Sequence, residues 1–235
     1  MQCNPDANVK IVDSVRIAHR RYDHSDIHTQ HNSVGGVWAE EQLYPGLKTN
    51  NLRGTLDYTD FPMHDGFGVA TGEHVTGEVM HNYLTAYAQE HGLLERIDFG
   101  VKVDEVAPLK EGGWKLQVNS PAYSTLQTRK LLVATGLTNV PHRPFIAGSG
   151  DFSAPILHSE ALGREYPTLT KDPEVQTVAV IGGGKSAYDA VYMAVNAGHK
   201  VEWVIRKSGK GPEWIFPPHT FIGPFKARRE VRYFA

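Results

Sequence analysis

A short apolar run that leads directly into a glycine-rich turn carries the clearest chemical signal in this sequence. Residues 178–181 read as a buried strand, and the spacing G-x-G-x-x-A follows, with Gly182, Gly184 and Ala187 at its three defining positions. The first glycine permits a tight turn, the second lets a pyrophosphate approach the backbone, and the small third residue lets the next helix pack against its strand. The phosphates would then lie against free N–H groups at the positive end of the helix dipole.

The residues that follow complete a strand–loop–helix–strand unit. A helical pattern continues through residue 196 and stops at Gly198, and a second apolar run over 201–205 ends at Arg206 and Lys207. An NAD-binding domain carries an acid after its second strand, whereas a cationic pair there suits the additional 2′-phosphate of NADP. The pattern therefore predicts an NADP site. The alternative is a glycine turn in some other α/β domain, with the basic pair solvated.

Composition and charge limit the classes of function that remain. The chain has 235 residues with 24 basic and 26 acidic side chains, and its formal net charge of −2 gives no electrostatic argument for a nucleic acid or an anionic membrane as partner. Its one cysteine, Cys3, excludes an internal disulfide framework and fits a reducing compartment. No apolar run approaches the roughly 20 residues of a spanning helix, and residues 1–10 lack the apolar core of a signal peptide. We expect a soluble, cytoplasmic protein.

The N-terminal part of the chain departs from a complete nucleotide-binding fold. Residues 9–13 read as a strand that ends in Asp13, where an acid would bond the ribose of a dinucleotide. A first strand with its glycine loop should begin roughly 20 residues or more upstream, but only eight residues precede Val9. Asp13 taken alone therefore reads as an ordinary strand-end acid. Residues 15–33 show no helical or alternating period, and their composition suggests a retained intron. Within them His24 and His28 could share a helix face and hold zinc, but we interpret the segment as a solvated loop without metal.

The segment that follows offers groups that suit a planar ligand. The adjacent glycines Gly35 and Gly36 allow close approach of the backbone to a ligand, and Trp38 supplies a flat apolar wall with one N–H donor. Without further context, a turn beside a core aromatic residue explains the same pattern.

The middle of the chain predicts an α/β fold with a small antiparallel part. Apolar residues at helical spacing predict a helix over 78–91. Three strands are predicted over 97–106, 114–118 and 131–134, the last of them as a buried apolar run. This order fits a small antiparallel β-meander that feeds back into a parallel sheet.

Four sequence blocks in order, GGVWAEE, YPGLKTNN, ATG and VIGGGKSAYD, make the chain resemble the flavin-containing monooxygenases, in particular a fungal branch of that group. The resemblance covers residues 4–231, with a break at 15–33. It implies an α/β, Rossmann-like flavoprotein with two dinucleotide-binding domains, incomplete here. The domains would be an FAD-binding domain over 1–140 without its first strand and glycine motif, a linker over 141–168, and part of an NADPH-binding domain over 169–235.

The resemblance also implies roles for individual residues. Asp13 would hold the ribose of FAD, and Asn50, with Asn51 as the fallback, would lie near the flavin as the catalytic residue that helps position the activated oxygen. The other implied FAD contacts are Gly36, Val37, Trp38, the backbone of Val103, and Ala134, Thr135 and Gly136. The implied NADPH contacts are Gly182, Gly184, Lys185, Ser186 and Ala187 at the pyrophosphate and Arg206 with Lys207 at the 2′-phosphate.

The implied activity is a monooxygenase reaction that uses FAD and NADPH, with O2 and a small organic metabolite of secondary metabolism as the other partners. NADPH would reduce FAD, one oxygen atom would enter the substrate, and the other would leave as water. Ala154 replaces the glycine of the family's F-x-G-x-x-x-H signature, which argues against a Baeyer–Villiger reaction. Because the absent first strand is the centre of the FAD sheet, we expect this chain to bind FAD weakly or not at all. The alternatives are a flavin-free NADP-binding module and an inactive fragment.

Overall fold

The structure, a computed structural model, describes residues 11–12, 27–136, 140–207, 219–222 and 224–228. The described helices are α1 (Gly77–Glu90), α2 (Leu162–Lys171) and α3 (Lys185–Asn196). The described strands are β1 (Ile11–Val12), β2 (Ile27–His28), β3 (Lys48–Leu52), β4 (His74–Thr76), β5 (Ile97–Asp98), β6 (Val103–Pro108), β7 (Trp114–Val118), β8 (Thr125–Thr128), β9 (Thr177–Ile181), β10 (Lys200–Val204), β11 (His219–Ile222) and β12 (Phe225–Arg228).

The chain divides into two compact units. The first unit comprises residues 1–41 and 84–142, and the second unit comprises residues 42–83 and 143–235. This division does not test the predicted FAD-binding and NADPH-binding domains, which stay a prediction. Within the described residues, no helix is both long and apolar enough to cross a membrane.

A small parallel sheet in the first unit has β2 at its centre. Ile27 pairs with Ile11 of β1 on one side and with Ile97 of β5 on the other. β2 lies within residues 15–33, for which the sequence predicts no regular structure. A strand of two residues cannot show an alternating period, so sequence periodicity gives no sign of it.

The first unit also contains the expected antiparallel β-meander. β7 pairs with β6 and β8 on its two sides, and the turn between β6 and β7 has positive φ angles at Gly112 and Gly113. Apolar side chains from one face of the meander and the residues just before it form its buried core: Val101, Val103, Leu116, Val118 and Leu126.

The prediction of a third strand over residues 131–134 is wrong. The third strand of the meander is β8, whereas residues 131–134 form no strand, and Leu132 and Val133 are exposed. An apolar run forms a strand only where a neighbouring strand accepts its hydrogen bonds, and β8 already occupies the place beside β7.

The second unit contains the strand–loop–helix–strand arrangement that the sequence predicts. β9 and β10 pair in parallel, from Thr177 opposite Lys200 to Ile181 opposite Val204. α3 connects them and packs on both strands and on α2. The helix ends as expected at Gly198, whose φ of 87° is in the left-handed region. α2 begins inside residues 141–168, the stretch predicted as a linker. β11 pairs with β12 in an antiparallel hairpin.

Two glycines of the meander turn allow a test of its packing. Gly112 and Gly113 both have φ near 90°, but a Cβ on Gly113 would lie 2.6 Å from the carbonyl oxygen of Thr128, whereas one on Gly112 would meet nothing within 4 Å. We expect G112A to lower the free energy of unfolding by about 1 kcal/mol through backbone strain alone. G113A adds a clash with backbone and should lower it by about 2–4 kcal/mol. Urea denaturation of both variants checks this, and equal losses would contradict the packing argument.

Candidate functional site

The glycine loop between β9 and α3 is held in shape by β10. Gly182 has a φ of 139°, which favours glycine, and its N–H donates to the carbonyl oxygen of Val204 at 3.0 Å. The Nε1–H of Trp203 donates to the carbonyl oxygen of Gly182 at 2.7 Å. The indole ring also lies edge-on to Tyr188, with ring centroids 4.7 Å apart. Both polar groups of the Gly182 residue are therefore satisfied by the neighbouring strand.

The residues after Gly182 offer unpaired donors at the start of α3. Gly184 is the N-cap residue, and its carbonyl oxygen accepts the N–H of Ala187 at 2.9 Å. Within the described part of the chain, the N–H groups of Gly184, Lys185 and Ser186 have no hydrogen-bond partner. A Cβ on Gly184 would meet nothing within 4 Å, so the space beside its backbone is open. Open space and free N–H groups at a helix N-terminus suit a phosphate group.

Two basic residues follow β10 at the end of the β9–β10 pair where the glycine loop begins. Since Val204 lies opposite Ile181, the chain leaves β10 at the edge where the glycine loop leaves β9. Arg206 and Lys207 come directly after this point, and both side chains are exposed. The structure thus brings the residues predicted for NADPH to one end of the β9–β10 pair.

A charged cluster fixes the first turn of α3. The Lys185 ammonium lies 2.5 Å from Oδ2 of Asp189, one turn further along the helix, and both side chains are largely buried. The hydroxyl of Tyr44 donates to the same oxygen at 2.8 Å. Burial, together with the nearby Asp189 charge and this hydrogen bond, raises the pKa of Tyr44 far above its usual range. Tyr44 therefore remains a neutral donor.

Asn50, the predicted catalytic residue, lies on a β-bulge in the second unit. Between the pairs Lys48–Thr76 and Leu52–His74, β3 has three residues where β4 has one. Asn50 and its neighbour on the bulge are exposed. The buried hydroxyl of Thr49 spans the bulge, since it donates to the carbonyl oxygen of Asn51 at 2.7 Å and accepts the N–H of Val75 at 3.0 Å.

The residues implied for FAD in the first unit lie on separate segments. Gly36, Val37 and Trp38 form one 3₁₀ turn in which Gly36 is buried and Val37 is 69% exposed. Val103 begins β6, with its side chain in the meander core. Ala134, Thr135 and Gly136 follow β8 outside any strand, with a φ of 77° at Gly136. Asp13 lies outside the described residues.

His28 is buried rather than solvated. Its Nδ1 lies 2.9 Å from Oδ2 of Asp98, which also accepts the hydroxyl of Tyr123 at 2.6 Å. Among the described residues, no group of three or more His, Cys, Asp or Glu side chains could hold a metal ion. His24, its predicted companion, lies outside the described residues.

Sequence reasoning missed the residues that support the loop and the bulge. The Lys185–Asp189 pair has the i,i+4 spacing of helical ion pairs, so its spacing alone could have indicated it. The bond from Tyr44 to Asp189 joins residues 145 positions apart, and the bond from Trp203 to Gly182 crosses between strands. No local pattern encodes contacts of that kind.

Comparison with known proteins places the chain in a family that agrees with this geometry. The pyridine nucleotide-disulphide oxidoreductase family matches residues 61–217, which include α1, the meander and the β9–α3–β10 unit. The chain belongs to this family of oxidoreductases.

Individual relatives confirm the resemblance predicted from the sequence blocks. An FAD-dependent monooxygenase of Pyrenophora dematioidea is 39% identical over 200 residues, a match that covers 82% of this chain and 36% of that protein. Another, resA of Aspergillus sclerotiorum, is 34% identical over 223 residues, covering 92% of this chain and 35% of the relative. The chain thus spans about a third of the length of the curated relatives it matches.

A solved structure confirms the Rossmann-like fold class. Tmm from Pelagibacter sp. strain HTCC7211 superposes with a TM-score of 0.68 at 19% identity, covering 88% of this chain and 53% of that one. At this identity the likeness establishes the fold.

Tyr44→Phe tests the charged cluster. We expect the substitution to lower the free energy of unfolding by about 2 kcal/mol at neutral pH, because the buried Asp189 carboxylate loses one donor. Since the pKa of Tyr44 is raised in the folded state, its contribution is present below the ordinary tyrosine pKa of about 10 and declines as pH rises above it. The difference between the wild type and Y44F should therefore narrow in alkaline solution.

Urea denaturation between neutral pH and pH about 11 measures this difference. Tyr192→Phe is the matched control, because Tyr192 lies on α3, the helix that carries Asp189, and is 69% exposed. Similar effects of the two substitutions would contradict the role of the Tyr44 hydroxyl.

Proposed function

We propose that this chain is part of a monooxygenase that uses FAD and NADPH to insert one oxygen atom from O2 into a small organic metabolite of secondary metabolism. The observation that carries the proposal is the glycine loop, whose free N–H groups lie at the edge of the parallel β9–β10 pair where the two exposed basic residues emerge. The names of the fungal relatives support the use of FAD and the monooxygenase reaction. A neighbouring structure, OTEMO in complex with FAD and NADP (TM-score 0.62, 15% identity, 86% of this chain and 39% of that one), supports the cofactor pair.

The residues of the glycine loop fit the pyrophosphate of NADPH. The open N–H groups of Gly184, Lys185 and Ser186 would donate to phosphate oxygens, and the exposed hydroxyl of Ser186 adds one further donor. Arg206, with Lys207 beside it, would pair with the 2′-phosphate, for which a guanidinium provides a bidentate donor.

The residues implied for FAD are compatible with contacts through the backbone. The side chain of Val103 is buried in the meander core, so a ligand would contact its main chain. The positive φ of Gly36 permits the single turn that carries Val37 and Trp38. The bulge presents the amide of Asn50 outward, where it would orient a reactant by hydrogen bonding. When bound, the flavin supplies electron transfer to O2, and the protein supplies orientation and exclusion of water.

A cofactor assay tests the proposed reaction. The chain is incubated with NADPH, FAD and air, and NADPH oxidation is followed at its characteristic absorbance, with and without FAD. Because this chain is expected to bind FAD weakly, FAD is supplied in large excess. FAD-dependent oxidation then supports a monooxygenase, whereas NADPH binding without oxidation even at excess FAD favours the flavin-free NADP-binding module. Absence of any dinucleotide binding contradicts the proposal.

Gly184→Ala separates nucleotide binding from folding. Gly184 has an extended backbone and open space around it, so alanine fits without a clash, and we expect the free energy of unfolding to fall by less than about 1 kcal/mol. The added methyl group occupies the space through which a pyrophosphate would approach, so the Kd for NADP+ should rise about tenfold or more.

Isothermal titration calorimetry and urea denaturation measure the two quantities for Gly184→Ala. Gly150→Ala is the matched control, because Gly150 also has open space and lies outside the glycine loop. Unchanged NADP+ binding by a folded G184A protein would overturn the pyrophosphate assignment.

Arg206→Ala tests the assignment of the 2′-phosphate. We expect the Kd for NADPH to rise about tenfold through loss of a charge-assisted contact, with a much smaller change for NADH, which lacks that phosphate. Lys200→Ala removes an exposed cation at the start of β10, the strand that Arg206 follows, and controls for general charge; Lys200 is paired with Glu202. Equal weakening of NADPH and NADH would count against the role of Arg206.

A further inference from the structure

The Lys185 side chain forms an ion pair within the protein. Lys185 is the first residue of α3, and its ammonium lies 2.5 Å from Oδ2 of Asp189. The Lys185 side chain is 18% exposed and that of Asp189 is 7% exposed. This is a largely buried ion pair, unlike the pair between Lys200 and Glu202, in which both side chains are exposed.

A second donor holds the carboxylate in place. The hydroxyl of Tyr44 reaches the same Oδ2 at 2.8 Å from a different part of the second unit. Because the raised pKa of Tyr44 keeps its hydroxyl protonated, this donor is present throughout the physiological pH range. Asp189 therefore has a fixed position with two donors on one oxygen.

The direction of the ion pair keeps the ammonium away from the free N–H groups. A contact from residue i to residue i+4 directs the Lys185 side chain toward the following turn, while the unpaired N–H groups lie at the preceding end of α3. Movement of Lys185 toward a phosphate would leave the Asp189 carboxylate buried with only the neutral Tyr44 donor. Removal of one partner from a buried ion pair is strongly unfavourable.

We propose that Asp189, positioned by Tyr44, keeps the Lys185 ammonium away from the nucleotide and thereby limits the affinity of the glycine loop for pyrophosphate. The inference rests on the proposed dinucleotide site. Backbone N–H groups then bind the pyrophosphate, and Asp189 is a positioning residue that acts through Lys185. A site of restrained affinity releases the spent nucleotide more readily, because affinity differences within one site appear mostly in the dissociation rate.

A double-mutant cycle at Lys185 and Asp189 tests this inference. The Kd values for NADP+ and for inorganic pyrophosphate are measured by calorimetry at low and high salt for K185M, D189N, the double variant and Y44F. K185M should weaken binding by less than about twofold, since the ammonium makes no phosphate contact. D189N should tighten binding about tenfold at low salt and increase its salt dependence, because the freed ammonium gains a charge-assisted contact. The double variant should return to the affinity of K185M.

Several outcomes would overturn the inference. Weakening of about tenfold by K185M alone would show that Lys185 binds the phosphate in the wild type. A folded D189N protein without tighter binding, or a double variant that keeps the gain, would contradict the restraint. Y44F removes the other donor to the Asp189 carboxylate, so release of Lys185 becomes more costly and binding should stay unchanged or weaken. Tighter binding by Y44F would contradict the restraint, and this variant decides the question if D189N does not fold.

The two probes separate this inference from the proposed function. If pyrophosphate follows the expected pattern while NADP+ does not bind, the proposed NADPH site is wrong and the restraint on the loop stands. If the wild type binds NADP+ and the cycle shows no coupling, the restraint is wrong and the proposed site stands. Binding of neither probe overturns both.

Discussion

The position of one glycine residue between two strands determines the shape of the candidate nucleotide site. Gly182 donates its N–H to Val204 and accepts the indole N–H of Trp203, so both of its hydrogen-bonding groups are used by β10. Its φ of 139° then directs the chain away from the sheet into α3. The next N–H groups have no partner in the described structure because a helix cannot satisfy its own first turn. β10 also leads directly to Arg206, so a single strand sets the geometry of both predicted phosphate contacts.

The first turn of α3 is also fixed by the segment that precedes β3. Tyr44 bonds to Asp189 on α3, and the backbone of Gln42 lies so close to Gly163 of α2 that a Cβ there would come within 2.5 Å of it. This short segment therefore packs on both α2 and α3. Since β3 begins at Lys48, the position of the strand that carries Asn50 depends on contacts with the helix that follows the glycine loop.

The sequence predicts the structural features that depend on local spacing, but it does not predict those that depend on pairing with residues far away in the chain. The G-x-G-x-x-A spacing and the terminal Gly198 predict the β9–α3–β10 unit correctly, because each rule concerns backbone geometry within a few residues. Residues 131–134 have the composition of a buried strand but no partner among the described residues, and β2 is too short to show a period. Asn50 could be named only through resemblance, since nothing in the sequence of β3 reveals that its pairing with β4 contains a bulge.

The glycine loop and the bulge share a physical solution to the same problem. In both places the backbone leaves a regular ladder, and each departure removes hydrogen bonds that buried groups require. At the loop the indole N–H of Trp203 donates to the carbonyl oxygen of Gly182. At the bulge the hydroxyl of Thr49 donates to the carbonyl oxygen of Asn51 and accepts the N–H of Val75. Each side chain comes from the framework rather than from the exposed residues that would contact a ligand. The irregular segments thus keep a defined shape while their remaining polar groups stay available for binding.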